Sequence, residues 1–191
     1  DSGGNFSLYV ASEDTFDIRA FATGFFPVIA ENVQAPASGI DLSLAALPLV
    51  TPTNEWVNFY SANSFFLDVP VQPGDVVHAN DPDGVVCGLF EVESAGSYGL
   101  MAVYRDDAST VNVDEGADPG DVISFKINNN IASAKGPDNP VWTSNGNTLN
   151  VDLAAYHTIQ REIPMTSGWN LVSWNIDTPN DSTSVLLTDI M

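Results

Sequence analysis

The chain has 191 residues, with 25 acidic side chains against five basic ones and a net charge of −20. Such a surface repels nucleic acid and anionic membranes, and no apolar run reaches the roughly eighteen residues that a spanning helix needs. At 44% apolar residues the chain can bury one large core or two small ones, so disorder throughout is not expected.

The acidity favours cations and suits a saline, extracellular setting. The lone cysteine, Cys87, has no intrachain partner for a disulfide, and its apolar neighbours from Val85 to Phe90 mark it as a buried thiol. The chain opens on Asp1-Ser2-Gly3-Gly4 without a signal peptide, as expected of a processed or excised piece.

From the N-terminus, Phe6–Val10 and Phe16–Ala22 alternate apolar and polar residues, the period-2 pattern of half-buried strands. Gly24 and Pro27 mark a turn, and Val28–Val33 and Ile40–Leu47 supply two further strand candidates. The phrases GNFSLYV, FDIRA, GFFPV and DLSL, in that order, resemble the second half of a carboxypeptidase regulatory-like domain. That family is a small transthyretin-like β-sandwich used as a spacer in secreted and surface proteins. The resemblance covers about 45 residues and lacks the family's opening strands, which implies an incomplete sandwich with an unfilled edge over residues 1–50.

Leu47–Pro52, with two prolines, reads as a linker. Beyond it, Trp56–Tyr60 and Ser64–Val69 suggest a hairpin, and Pro73-Gly74-Asp75 a turn into the strand Val76–Asn80. Asp81-Pro82-Asp83-Gly84 is a tight-turn signal, because proline presets φ and glycine accepts positive φ. An EF-hand register fails there: it places Ala79 and Phe90 where oxygen ligands are required. Val85–Val92 and Tyr98–Tyr104 are expected to pair across Ser94-Ala95-Gly96. Val122–Ile127, Ile131–Ala134, Val141–Thr143 and Leu149–Leu153 then follow, with Asn128–Asn130 as a turn. Short strands at about 8–12-residue spacing with no helical period argue for an antiparallel sandwich over residues 51–157. The segments DPDGVVCG, YGLMAVYRDD and DEGADPGD resemble an Ig-like module of modular secreted bacterial proteins, which implies architecture and location and no catalytic activity.

Residues 158–191 form a C-terminal tail with strand candidates at Thr158–Ile163 and Gly168–Asn175. The phrase GWNLVS is similar to the opening of a further module in many secreted proteins, and Asp181–Ser184 has helix-capping composition. The expected architecture is therefore all-β: two consecutive Ig-like or transthyretin-like antiparallel sandwich modules, the first incomplete, with a strand-rich tail.

Two groups of residues are candidates for function. Asp106–Asp121 carries Asp106, Asp107, Asp114, Glu115, Asp118 and Asp121 with no basic residue, clamped between two strands. Hard cations such as Ca²⁺ take about six to eight oxygens, and a loop of this kind could supply them; a solvated acidic loop is the alternative. Trp142, in a polar stretch, is the candidate for an exposed ring on which a sugar could stack. His78 and His157 lie in no catalytic motif, and neither an HExxH nor a GxSxG pattern occurs. Asn5-Phe6-Ser7 and Asn180-Asp181-Ser182 are glycosylation sequons.

Two functions follow as expectations. The first is a non-enzymatic extracellular structural protein, a stalk, surface layer or filament subunit. It would join other copies of itself or neighbouring surface proteins by strand complementation, with calcium as stiffener. Its donor strand would be Thr158–Ile176 or Ser184–Met191. The second is a carbohydrate-binding or adhesive module of a larger secreted protein.

Overall fold

The computed structural model describes residues 7–9, 15–110 and 112–156. The strand and helix candidates of the tail, both proposed donor segments, His157, Trp169 and Trp174 all lie outside the described residues.

Every regular element among the described residues is a β-strand. β1 (Thr15–Ala20) and β2 (Val28–Gln34) form a two-stranded antiparallel sheet. The other nine strands join into one folded-over sheet. These are β3 (Trp56–Ser61), β4 (Phe65–Phe66), β5 (Val69–Pro70), β6 (Val76–Asn80), β7 (Val86–Glu91), β8 (Tyr98–Tyr104), β9 (Ser124–Ile127), β10 (Asn130–Pro137) and β11 (Thr148–Ala155).

β11 organises this body. Its first residues pair in parallel with β3, from Thr148 opposite Asn58 to Asn150 opposite Tyr60. Its later residues pair antiparallel with β10, and Ala154 and Ala155 also pair in parallel with β4. One strand therefore serves two layers, β8–β3–β11 on one side and β11–β10–β9–β6–β7 on the other. The inward positions recur with period 2: Val57 and Phe59 on β3, Val77 and Ala79 on β6, Met101 and Val103 on β8, Phe125 and Ile127 on β9, and Val151 and Leu153 on β11. Phe59 meets Phe125 edge-on across the layers, with ring centroids 5.4 Å apart.

The free ends of the two layers, β7 and β8, close on each other through glycine. A Cβ on Gly88 would stand 2.9 Å from the Ala102 carbonyl oxygen and 2.9 Å from Val103 Cγ2. A Cβ on Gly99 would meet the Phe90 ring. The β9–β10 hairpin turns through Asn128 and Asn129, both at positive φ (49° and 64°), a conformation that asparagine tolerates better than other side-chain-bearing residues.

Several pairings differ from the sequence expectation. β7 and β8 do not form a hydrogen-bonded hairpin: β7 pairs with β6 and β8 with β3, because the glycines let the two strands pack against each other across the seam instead. The expected strand Ser64–Val69 breaks into β4 and β5 at Leu67 and Asp68, whose φ values of 54° and 62° make a tight turn. β3 pairs with β8 and β11 and not with β4, and the β11 pairings with β3 and β4 are parallel. Ile40–Leu47 forms one bridge, Ala46 to Phe25, and no continuous strand. Val141–Thr143 likewise makes a single bridge, Val141 to Val122.

The seam generates a test. Gly88→Ala forces a methyl against main chain and should lower unfolding free energy by about 1–3 kcal/mol in urea titration. A loss below about 0.5 kcal/mol would show that β7 and β8 can move apart freely.

Candidate functional site

The acidic loop leaves β8 at Arg105 and returns beside it. The Asp106 amide donates to the Ala117 carbonyl (3.1 Å) and the Ala117 amide to the Tyr104 carbonyl (3.0 Å), which closes the loop at its base. A Cβ on Gly116 would run into the Tyr104 carbonyl oxygen and lie 3.0 Å from Cys87 Cβ, so only glycine permits this return. Arg105 donates to Glu55 Oε2 at 2.7 Å and lies 3.9 Å from Asp118 Oδ1. Thr53 Oγ1, 2.8 Å from the Arg105 carbonyl, ties the linker to the same base.

Inside the loop the carboxylates accept from the loop's own donors. Ser109 N–H donates to Asp107 Oδ1 (2.9 Å), Glu115 N–H to Asp106 Oδ1 (3.2 Å), Gly116 N–H to Asp114 Oδ1 (3.2 Å) and Asp118 N–H to Asp121 Oδ2 (2.7 Å). Glu115, buried, takes the Thr110 hydroxyl at 2.7 Å and the Asp107 amide at 3.3 Å. Main-chain and side-chain bonds from Ser109 hold Asp107 below the usual carboxylate range. Partial burial, followed by the charges of Asp81, Asp106 and Asp83, raises the Asp114 carboxyl. The DPDG turn and the acidic loop therefore approach each other closely enough for their charges to interact.

Calcium needs several oxygens turned toward one point. Asp106, Asp107, Asp114, Glu115, Asp118 and Asp121 are brought into one loop but not onto one centre: among the described residues no three metal-ligating side chains converge. Each of Asp106, Asp107, Asp114, Glu115 and Asp121 spends an oxygen on an amide or hydroxyl instead.

Trp142 is placed differently from its sequence expectation. It is 1% exposed, and its indole N–H donates to the Val103 carbonyl at 3.0 Å. Its amide donates to the Asp121 carbonyl (2.8 Å), and its carbonyl accepts from Gly120 (2.8 Å). Residues 120–123 and 140–142 thus form a short paired segment that turns the ring into the core, although its sequence neighbours are polar. A ring enclosed on both faces offers no sugar platform, so Trp142 is a core residue tying β8 to the acidic loop.

Sequence reasoning passed over a second constellation, where the β1–β2 hairpin meets the body. Arg19 Nη2 donates to Asp75 Oδ1 at 2.7 Å, and the Asp75 side chain is 4% exposed. Asp75 also accepts from Asn128 Nδ2 (2.6 Å) and from the Gln72 amide (2.6 Å). Three residues on, His78 lies against the Phe26 ring, with centroids 5.4 Å apart. Burial, then the charge of Lys126, lowers the His78 pKa to about 4. A scarce basic residue inside the alternating FDIRA strand of a strongly acidic chain was the available signal. Cys87, by contrast, is an inert thiol, pushed up to about 12 chiefly by burial.

Comparison of the chain with protein families, with curated proteins and with solved structures finds no match.

Two outcomes test these assignments. Trp142→Ala should cost about 3–5 kcal/mol in denaturant unfolding, the range for truncating a buried aromatic; a near-neutral change would return the ring to the surface. Millimolar calcium and a chelator should leave the melting temperature unchanged, whereas a saturable rise with calcium would show that the loop carboxylates regroup around an ion.

Proposed function

We propose that this chain is a non-enzymatic extracellular structural protein, a subunit of a surface assembly or filament whose copies complete one another's sheets by strand complementation. The observation that carries the reading is the β1–β2 sheet. Among the described residues it has two strands, and neither has a second strand neighbour. A two-stranded sheet is marginal by itself, and an open strand edge is a template for another chain. Exposed apolar side chains accompany it, Phe21 and Phe25 in the connection between the two strands. An added strand would hide backbone donors and these side chains together. The donor in this reading is Thr158–Ile176 or Ser184–Met191 of a neighbouring copy, or a segment of another surface protein.

The charge of −20 shapes how such an assembly would form. Copies repel at long range and join through backbone pairing and apolar contact at short range. Raising salt from about 0.01 M to about 1 M shortens the Debye length from about 30 Å to about 3 Å, which removes the repulsion and leaves the seam intact. The reading therefore fits a saline extracellular setting. A carbohydrate-binding module, the alternative, loses its stacking platform with the burial of Trp142.

Light scattering and sedimentation of the full chain across that salt range test the proposal. Assemblies should grow with salt and shrink when Thr158–Ile176 or Ser184–Met191 is removed. A chain that remains monomeric at every ionic strength and micromolar-to-millimolar concentration would overturn it.

A further inference from the structure

The β1–β2 hairpin is held to the body by few contacts, and their chemistry is unequal. Phe26 and His78 face each other, Arg19 bridges to Asp75, and Ile29 packs against the core cluster from outside. The cluster itself is drawn from residues 57–155 and does not include Phe26. Phe26 is fixed in place by its own segment: its amide donates to the Ala45 carbonyl at 2.8 Å, and the Leu47 amide to the Gly24 carbonyl at 2.9 Å. The strap 45–47 and the turn at 24–26 are thus bonded to each other.

His78 is the weak point of this junction. It is 2% exposed, and its Nδ1 is buried without a protein hydrogen-bond partner. Opposite it across the ladder are Lys126 on β9 and Leu89 on β7. Lys126 opposes a second positive charge, and Leu89 can neither donate nor accept a hydrogen bond. The hairpin brings the Phe26 ring, which supplies no acceptor for an imidazolium proton. The other charges at the junction, Arg19 and Asp75, are already paired with each other. A neutral imidazole suits this pocket, because burial and the neighbouring Lys126 both disfavour the charged form while Phe26 stays down.

We propose that the Phe26–His78 contact is an acid-released latch: protonation of His78 frees the β1–β2 hairpin from the body and leaves the body folded. With the hairpin lifted, His78 is hydrated and takes its proton more readily, with Lys126 on β9 still opposite it. With it docked, protonation waits until about pH 4. The proton therefore binds the open form more tightly, so opening sets in as pH falls below about 6.5 and reaches its full gain below about 4. A freed two-stranded hairpin lacks the support to stay ordered in water, so its amides lose protection. Release also uncovers Phe26, Ile29 and the face of the body beneath them. The inference is independent of the assembly reading, since it concerns one chain.

Amide hydrogen exchange on the intact protein at pH 7, 5.5 and 4.5, corrected for intrinsic rates, tests it together with an NMR titration of His78. Amides of β1 and β2 should lose protection progressively while those of β10 and β11 keep theirs, and Phe26→Ala should move the His78 midpoint up toward 6.5. Hairpin protection unchanged down to pH 4.5 would overturn the latch. So would loss of β1–β2 and β10–β11 protection in one step, or a His78 midpoint that Phe26→Ala leaves where it was.

Discussion

A closed ring of hydrogen bonds holds β11 where the two layers divide it. Leu153 N–H donates to Ser64 Oγ (3.0 Å), Ser64 Oγ to Ser61 Oγ (2.9 Å), and Ser61 Oγ to Asp152 Oδ1 (2.7 Å), which returns the path to the strand on which it began. Next to it the Tyr98 hydroxyl donates to the Val151 carbonyl at 2.7 Å, and Ser97 Oγ to the Ser61 carbonyl at 2.8 Å. Burial, with the Asp152 charge second, raises the Tyr98 pKa, so the phenol remains a donor. β11 must leave β3 and join β10 and β4 within eight residues, and a strand that changes partners leaves main-chain groups without a ladder. Unpaired and buried, such groups cost about 1–3 kcal/mol each. The two serines and the tyrosine meet that demand, and the hydrophobic layers can then close over it.

Electrostatics acts in two different ways in this chain. On the acidic loop, carboxylates are consumed locally as acceptors for amides and a hydroxyl, so five of the six negative side chains serve as loop scaffolding. At the hairpin junction the rare cations carry the structure: one of the chain's five basic residues, Arg19, meets a buried carboxylate, and a second, Lys126, sets the environment of a buried histidine. Buried charge pairs contribute little net stability, yet removing one partner is costly, so such a pair fixes where the hairpin docks more than how firmly.

The strand content was readable because it follows from local pattern. Phe16–Ala22 and Leu149–Leu153 alternate as half-buried strands do, Val76–Asn80 follows a turn signal, and each contains or overlaps a strand of the structure. Pairing was not readable, because it depends on groups distant in sequence: Gly88 facing Ala102, or Thr148 lying parallel to Asn58. Trp142 shows the same limit. Its polar neighbours describe the surface of its own segment, while its burial is decided by the Asp121 carbonyl and the Val103 carbonyl. The acidic loop was located correctly as a loop, but whether its carboxylates point at one centre or at the loop's own amides is a matter of backbone path that composition does not carry.

The central claim is that a hydroxyl ring lets one strand belong to both layers, and Ser64→Ala tests it most directly. The substitution removes the acceptor of a buried amide and the donor to Ser61 with almost no change in volume. The account predicts a loss of about 1–3 kcal/mol in equilibrium unfolding, the cost of leaving that amide unsatisfied. A loss below about 0.5 kcal/mol would mean that β11 is held by packing alone and that the ring is incidental.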